Sequence, residues 1–462
     1  MGVGRRDNAK SGATQVELEL PQGGRWIPPI GRAGVSRKPA TCGSLPGTSG
    51  KVEMEAVVSA ENWRKALAAV VANRGAPGPD GMRTSELAGH LERHGETIVR
   101  KLLEGRYRPT AARRVEIPKA SGGTRGLNVP NVVDRFVQQL LLQALTPQLD
   151  PQMSASSYGF RPGRSAHDAV KQAREYARAG YAWVVDLDIE KFFDRVNHDV
   201  LMHRLSRDVE DRRILRLIGQ MLRAGCILPD GEVKPSEMGT PQGGPLSPLL
   251  ANLYLDALDQ ELTRRGLRFC RYADDCNIYV RSQSSAERVA ESVTTWLKRH
   301  LKLTVNATKS GVGRAWERTF LGFTLTMTLM IAIAAGSLDR YRDMVREHYT
   351  GRDGGPTVQL RDTWEAKVKG WWNYYRLAEY RQPVQALSGW TRRHMRKCFW
   401  QRWHSAKGRY RHFRKLGLSH ELAKAGYSSR GAWRMARNGA MNKALSNATL
   451  KRYGFIVPTD LG

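Results

Sequence analysis

Four aspartates stand out in a chain poor in acid. Asp186 and Asp188 alternate with Val185, Leu187 and Ile189 in AWVVDLDI (182–189), so strand geometry puts both carboxylates on one face. Tyr272-Ala273-Asp274-Asp275 sets two more at the tight turn of an apolar hairpin read over 269–280. Adjacent strand residues face opposite ways, so a turn is needed to bring both to one point. Carboxylates converging within a few Å repel one another and resist burial, unless hard cations such as Mg²⁺ bind them through oxygen. Two such ions, ~3.5–4 Å apart, form the arrangement that serves in-line phosphoryl transfer. Taken by itself an Asp-Asp pair reads as a solvated turn; the setting changes that.

The setting is strongly basic. The 462 residues carry 74 Lys and Arg against 44 Asp and Glu, a net charge of +30. That excess argues against a small-metabolite enzyme and for a polyanionic partner, nucleic acid above all. A hydrophobic content of 41% makes the chain globular. Cys42, Cys226, Cys270, Cys276 and Cys398 form no CxxC pair, which speaks against a zinc ribbon and for a reducing compartment. The most apolar run, 320–335, is short for a membrane span and reads as buried strands. No secretory signal is legible at the N-terminus.

Several elements can be read around the aspartates. Residues 1–54 read as a flexible, Gly/Pro-rich tail. Residues 113–129 read as two strands joined by the SGG turn at 121–123. Val133, Phe136, Val137, Leu140, Leu141 and Leu145 follow at helical spacing, with Pro147 predicted to end the helix. A second helix is predicted over 245–262. Ser284 with Glu287 predicts a capping box, opening a helix with Val289, Val293, Trp296, Leu297 and Leu301 on one face. Composition shifts after about residue 340: residues 361–462 hold 22 Lys and Arg against 5 Asp and Glu, and seven of the twelve tryptophans.

Ordered blocks then carry a resemblance. They are GAPGPDGM (75–82), VEIPKASGGTRGLNVP (115–130), SSYGFRPGRSAHDAV (156–170), VVDLDIEKFFDRVNHDVL (184–201), GTPQGGPLSPLLANLYLDALD (239–259), RYADD (271–275), LKLTVNATKS (301–310) and RTFLGFTL (318–325). KGWWNYYRLAEY (369–380) and WTRRHMRKCFWQRW (390–403) follow. In this order they resemble the group II intron-encoded reverse transcriptases and maturases, over roughly 60–460. The absence of paired cysteines near the C-terminus makes the chain similar to endonuclease-lacking, class C-like members.

The resemblance implies an α+β right-hand polymerase, with fingers and an antiparallel palm over 55–335. An all-α thumb, the maturase domain, would span 336–415 and a short DNA-binding segment 416–462. It implies RNA-directed DNA polymerisation for retrohoming, and binding of the parent intron RNA to assist splicing. Asp188, Asp274 and Asp275 would be catalytic and hold two Mg²⁺ ions, with the Ile189 carbonyl as a further ligand. Asp186, on the same face, could assist them, with a structural hydrogen-bonding role as the favoured reading. Phe193 would pack under the sugar and exclude a 2′-hydroxyl, while Phe192 reads as core. Lys119 and Arg125, on opposite arms of the hairpin, would clamp the dNTP triphosphate. Gln242, beside Gly243 and Gly244, would meet the incoming dNTP, and Lys309 would protonate the leaving pyrophosphate.

Arg161 and Arg164 would contact the template backbone, with Arg–carboxylate pairing to Asp168 as the alternative. Arg392, Arg393, Arg396 and Lys397 lie on a predicted helix that buries its tryptophans and turns cations outward, so they would grip RNA. The expected partners are group II intron RNA, a DNA target or primer and dNTPs, with no membrane. The expected setting is the bacterial cytoplasm, near the nucleoid. Two other readings stay open: a splicing-only maturase with an inactive polymerase, and a defence or CRISPR-associated reverse transcriptase.

Overall fold

The computed structural model describes residues 51–118, 124–241, 243–350 and 355–462. Its strands are β1 (Ala112–Pro118), β2 (Thr124–Val129), β3 (Trp183–Asp188), β4 (Cys226–Ile227), β5 (Val233–Lys234), β6 (Arg268–Tyr272), β7 (Asp275–Val280), β8 (Gly311–Arg314), β9 (Phe323–Leu325) and β10 (Ile331–Ile333). The predicted tail, 1–54, lies outside the described residues apart from 51–54, and Met54 already begins a helix.

The palm is a four-stranded antiparallel sheet in the order β6-β7-β3-β8. Strand alternation gives its two faces different neighbours. Val185, Leu187, Cys276 and Ile278 enter one apolar core, with the helices Ser247–Arg264 and Gln283–Trp296 packed over it. Val184, Cys270 and Tyr279 enter a second core, shared with the helix Ala166–Arg178 and with the thumb. Asp186, Asp188 and Asp275 have the parity of this second face.

The fingers hairpin pairs β1 with β2, and two short strands that the sequence did not signal, β4 and β5, extend its sheet. The apolar run at 320–335 forms the β9–β10 hairpin, as buried strands were expected. Glu379 of the thumb caps it, accepting from the Ile331 N–H at 3.0 Å.

Two boundaries differ from the sequence reading. Pro147 lies inside the helix Val132–Leu149 rather than after it. A proline there removes one late N–H donor, at a cost of up to ~3 kcal/mol, and the burial of Leu145 and Leu149 on either side offsets it. The expected capping box at Ser284 and Glu287 does not form. The helix begins at Gln283, because Ser282 takes the extended cap conformation and its hydroxyl accepts from the Ser285 N–H at 3.3 Å.

The thumb is all-helical: Ala335–His348, Thr357–Tyr375, Gln382–Arg402 and Ala406–Lys415 surround the buried Trp364, Trp372 and Trp400. Residues 416–462 do not stand apart from it. Leu418, Met435, Met441, Leu450, Phe455 and Val457 enter the same core, and the Trp364 indole donates to the Ile456 carbonyl at 2.7 Å. No helix among the described residues is long and apolar enough to cross a membrane.

Candidate active site and nucleic-acid interface

β3 and β7 bring the predicted aspartates together. Asp188 and Asp275 are direct register partners, and Asp186 sits two residues away opposite Asn277. Burial pushes the Asp275 carboxyl up to about 8, with Asp186, Asp274 and Asp188 adding repulsion in that order. Burial likewise raises Asp186 to about 6, opposed by the Arg318 guanidinium and reinforced by Asp188. Repulsion among oxygen ligands of one sign is what bound cations relieve, so donor type and charge fit a hard divalent ion. As the side chains stand, no three described Asp, Glu, His or Cys groups close around a metal-sized point. Asp186 has a charge role among these carboxylates; the hydrogen-bonding role expected for it finds no partner among the described hydrogen bonds.

The backbone of Asp188 is fixed from the segment 304–310. Its N–H donates to Ser310 Oγ at 2.8 Å, and its carbonyl accepts from the Asn306 N–H at 2.8 Å. Ile189 is buried and bridges Val305 just beyond the strand end. Lys309 Nζ stands 3.8 Å from Asp188 Oδ2, but its side chain is 64% exposed, so water screens the pair.

The turn of RYADD is held from beneath. Ala273 has φ +56°, a left-handed conformation that costs a non-glycine residue roughly 1–2 kcal/mol. Arg271, pointing into the core, donates through Nη1 to the Ala273 carbonyl at 2.9 Å and to Asn252 Oδ1 at 3.0 Å. It also donates through Nη2 to Ser157 Oγ at 2.8 Å and through Nε to Asp259 at 2.7 Å. The turn rests on Gly159, where a Cβ would lie 2.5 Å from the Ala273 nitrogen. The block 156–165 is thus a buttress for the acidic turn.

Sequence reasoning passed over this network, although a signal was present. Asn252, Leu255, Asp259 and Leu262 share one buried helical stripe. Two polar residues a heptad apart on such a stripe announce a buried cation.

Phe193 is half-buried beside its fully buried neighbour Phe192. It borders a cavity of about 450 Å³, whose walls include Leu127, Arg135, Phe160 and Gly243. Gly243 (φ +122°) lets its loop pass β2, for a Cβ there would lie 2.7 Å from the Asn128 carbonyl. Lys119 and Gln242 lie outside the described residues; the Arg125 backbone pairs with Ile117 in the fingers hairpin.

Several expected nucleic-acid contacts are turned inward instead. Arg161 is not a template contact: only 3% of its side chain is exposed, and it pairs with Asp150 at 2.7 Å. Its alternative partner, Asp168, caps its own helix with Ser165. Arg164 is half-buried, donating to the Ser157 carbonyl at 3.1 Å. In the thumb, Arg392 pairs with Asp460 at 2.8 Å, and Arg396 is buried, donating to the Leu445 carbonyl and Asn447 Oδ1, each at 2.9 Å. Arg393 stacks 3.8 Å over Trp433. These three staple the C-terminal segment to the helix Gln382–Arg402, and Lys397 alone of the four lacks such a tie among the described contacts. Arg396→Met should therefore lower stability by roughly 1–3 kcal/mol, seen as an earlier urea midpoint. The salt slope of RNA binding should not move; a flatter slope at unchanged stability would return Arg396 to the RNA.

Comparison with known proteins completes the site. Residues 117–325 match the reverse transcriptase (RNA-dependent DNA polymerase) family, and residues 338–417 the maturase-specific domain of group II introns. Protein YkfC of Escherichia coli (strain K12) is 32% identical over 274 residues, 51% of this chain and 72% of that one. The group II intron-encoded protein LtrA of Lactococcus lactis subsp. cremoris is 36% identical over 185 residues, 40% of this chain and 30% of LtrA. A protein in the cob intron of Schizosaccharomyces pombe is 38% identical over 165 residues, 36% of this chain and 20% of its own length. The chain therefore spans under a third of the last two relatives.

Proposed function

The chain belongs to the reverse transcriptases that carry a group II intron maturase domain, and from that membership we propose that it copies its parent intron RNA into DNA and assists the splicing of that RNA. The observation that carries the reading is the register of Asp188 against Asp275 at the mouth of an antiparallel palm, with Asp275 held near 8 by burial and then by its acidic neighbours.

Asp188, Asp274 and Asp275, with the Ile189 carbonyl, would hold two Mg²⁺ ions, which supply the positive charge that an in-line attack on a dNTP requires. The other residues bind and orient. Lys119 and Arg125 receive the triphosphate from the fingers hairpin. Gln242 meets the base pair being formed. Phe193 walls the sugar, and Lys309, close to Asp188, offers a proton to the departing pyrophosphate. Fingers and palm are assigned to 55–335 and the thumb to 336–415. Residues 416–462 complete the thumb's core and, with it, meet RNA or DNA.

Primer extension on an annealed RNA template, with Mg²⁺ and each nucleotide set in turn, tests this. Incorporation of dNTPs that chelation abolishes is the expected result; none with a folded protein would leave only a splicing role. Phe193→Ala should raise ribonucleotide use relative to deoxyribonucleotides by roughly 10–200-fold. Unchanged sugar discrimination would remove Phe193 from the gate.

A further inference from the structure

The thumb contains an open cavity of about 550 Å³, and none of the residues lining it belongs to the palm. Phe399, Trp403, Tyr453 and Phe455 supply its aromatic rings, with the His412 imidazole stacked on Trp403. Phe399 and Phe455 meet edge to face at 5.0 Å, and Tyr453 at the lip is 48% exposed. Three cations rim it: Arg361, Arg402 and Lys415. No carboxylate lines it among the described residues. Arg361 is steadied by Asp362 at 2.7 Å and Arg402 by the Gly355 carbonyl, while Arg452 adds a further cation 5.3 Å over the Tyr453 ring.

An apolar, aromatic floor beneath a cationic rim asks for a ligand that is flat and apolar at one end and anionic at the other. An unpaired nucleotide has that form. The volume suits it, since small-ligand sites run from about 300 to 1,000 Å³. Duplex RNA does not fit, because its bases are stacked inward and offer proteins mostly backbone and shape. Bases in loops and bulges can be splayed out and stacked on aromatic side chains. The C-terminal segment builds part of the cavity, supplying Tyr453 and Phe455 among others, which gives 416–462 a role beyond closing the core.

We propose that this cavity takes one unpaired nucleotide of an RNA strand. The base would lie against Phe399, Tyr453 and Phe455, with flanking phosphates on Arg361, Arg402 and Lys415. The inference rests on the reading of the thumb as an RNA-binding domain. It places the grip here rather than on the inward-turned Arg392 and Arg396.

The test uses the full chain and two probes: a short single-stranded oligouridylate carrying one photoactivatable thiouridine, and a blunt RNA duplex. Tyr453→Ala and Lys415→Gln should each weaken single-strand binding about tenfold, and Tyr453→Ala should leave duplex binding unchanged. Thermal midpoints confirm that the variants fold. In the wild type, independent of any variant, crosslinks should map to the peptides bearing Phe399 or Tyr453. Equal losses on both probes would make this a plain basic surface and overturn the pocket, as would unmoved affinities or crosslinks confined elsewhere. Displacement of the oligonucleotide by free uridine monophosphate at comparable concentration would also overturn it, in favour of a free-nucleotide site. Absent primer extension by the wild type would count against the polymerase reading and leave this result standing.

Discussion

Asp275→Asn should extinguish primer extension and, in the absence of metal, leave the fold more stable than the wild type. The loss follows from charge. Asparagine keeps the shape of the side chain but cannot hold a hard cation as a carboxylate does, and a metal ion stabilises the phosphoryl transition state by several kcal/mol. At 1.36 kcal/mol per factor of ten, a fall of about 10³-fold or more in rate is expected. The gain in stability follows from the same charge. Asp275 is buried and faces Asp186, Asp274 and Asp188, and burial first, then their repulsion, raises its carboxyl from an ordinary 3.8 to about 8. A carboxyl raised on folding destabilises the native state fully above the folded value, and that cost is relieved as pH falls from about 8 toward 4. Metal-free wild type should therefore become more stable as pH falls from about 8 toward about 4, and the variant should lack that slope. Even ~1 kcal/mol recovered would raise the thermal midpoint by about 2 °C. Survival of more than roughly a tenth of the activity would sink the assignment, because even a residue that only supports a metal ligand costs about 10–100-fold when removed.

Much of this was legible in the chain. The alternation of Asp186 and Asp188 with Val185, Leu187 and Ile189 could only be one face of a strand, and RYADD could only be a turn between apolar strands. Both readings use short-range periodicity, which is why they survive folding. The misread nucleic-acid contacts are arginines. Arg161 and Arg396 sit in basic, exposed-looking sequence, yet each is claimed by distant groups: Asp150 for one, Leu445 and Asn447 for the other. Helical period does place Arg392 and Arg396 on one face. What covers that face is a tail some fifty residues away, and no local pattern reports it. Pro147 and Ser282 show the same limit at smaller scale, where tertiary burial and cap geometry override a boundary rule.

Arg271→Met is expected to be the most destabilising single change in the palm. Arg271 and Asp259 are both 0% exposed, and removing one partner of such a pair leaves the other charge buried and uncompensated, at roughly 3–5 kcal/mol. The loss should appear as a markedly lower urea midpoint. Arg271→Lys should recover only part of it, since an ammonium cannot reach Asp259, Asn252, Ser157 and the Ala273 carbonyl together. The informative variant removes both charges. Arg271→Met with Asp259→Leu replaces the pair by apolar groups, which often restores stability. If Arg271 is purely structural, activity should return with the fold. If it is also a positioning residue, activity should stay low, because the left-handed Ala273 turn still lacks the donor that fixes Asp274 and Asp275. The second outcome is expected, and it should show in kcat more than in KM, since the turn bears on the metal ligands rather than on the bound strand. Full recovery of kcat in the stable double variant would reduce Arg271 to a core residue and leave the strain at Ala273 without a catalytic purpose.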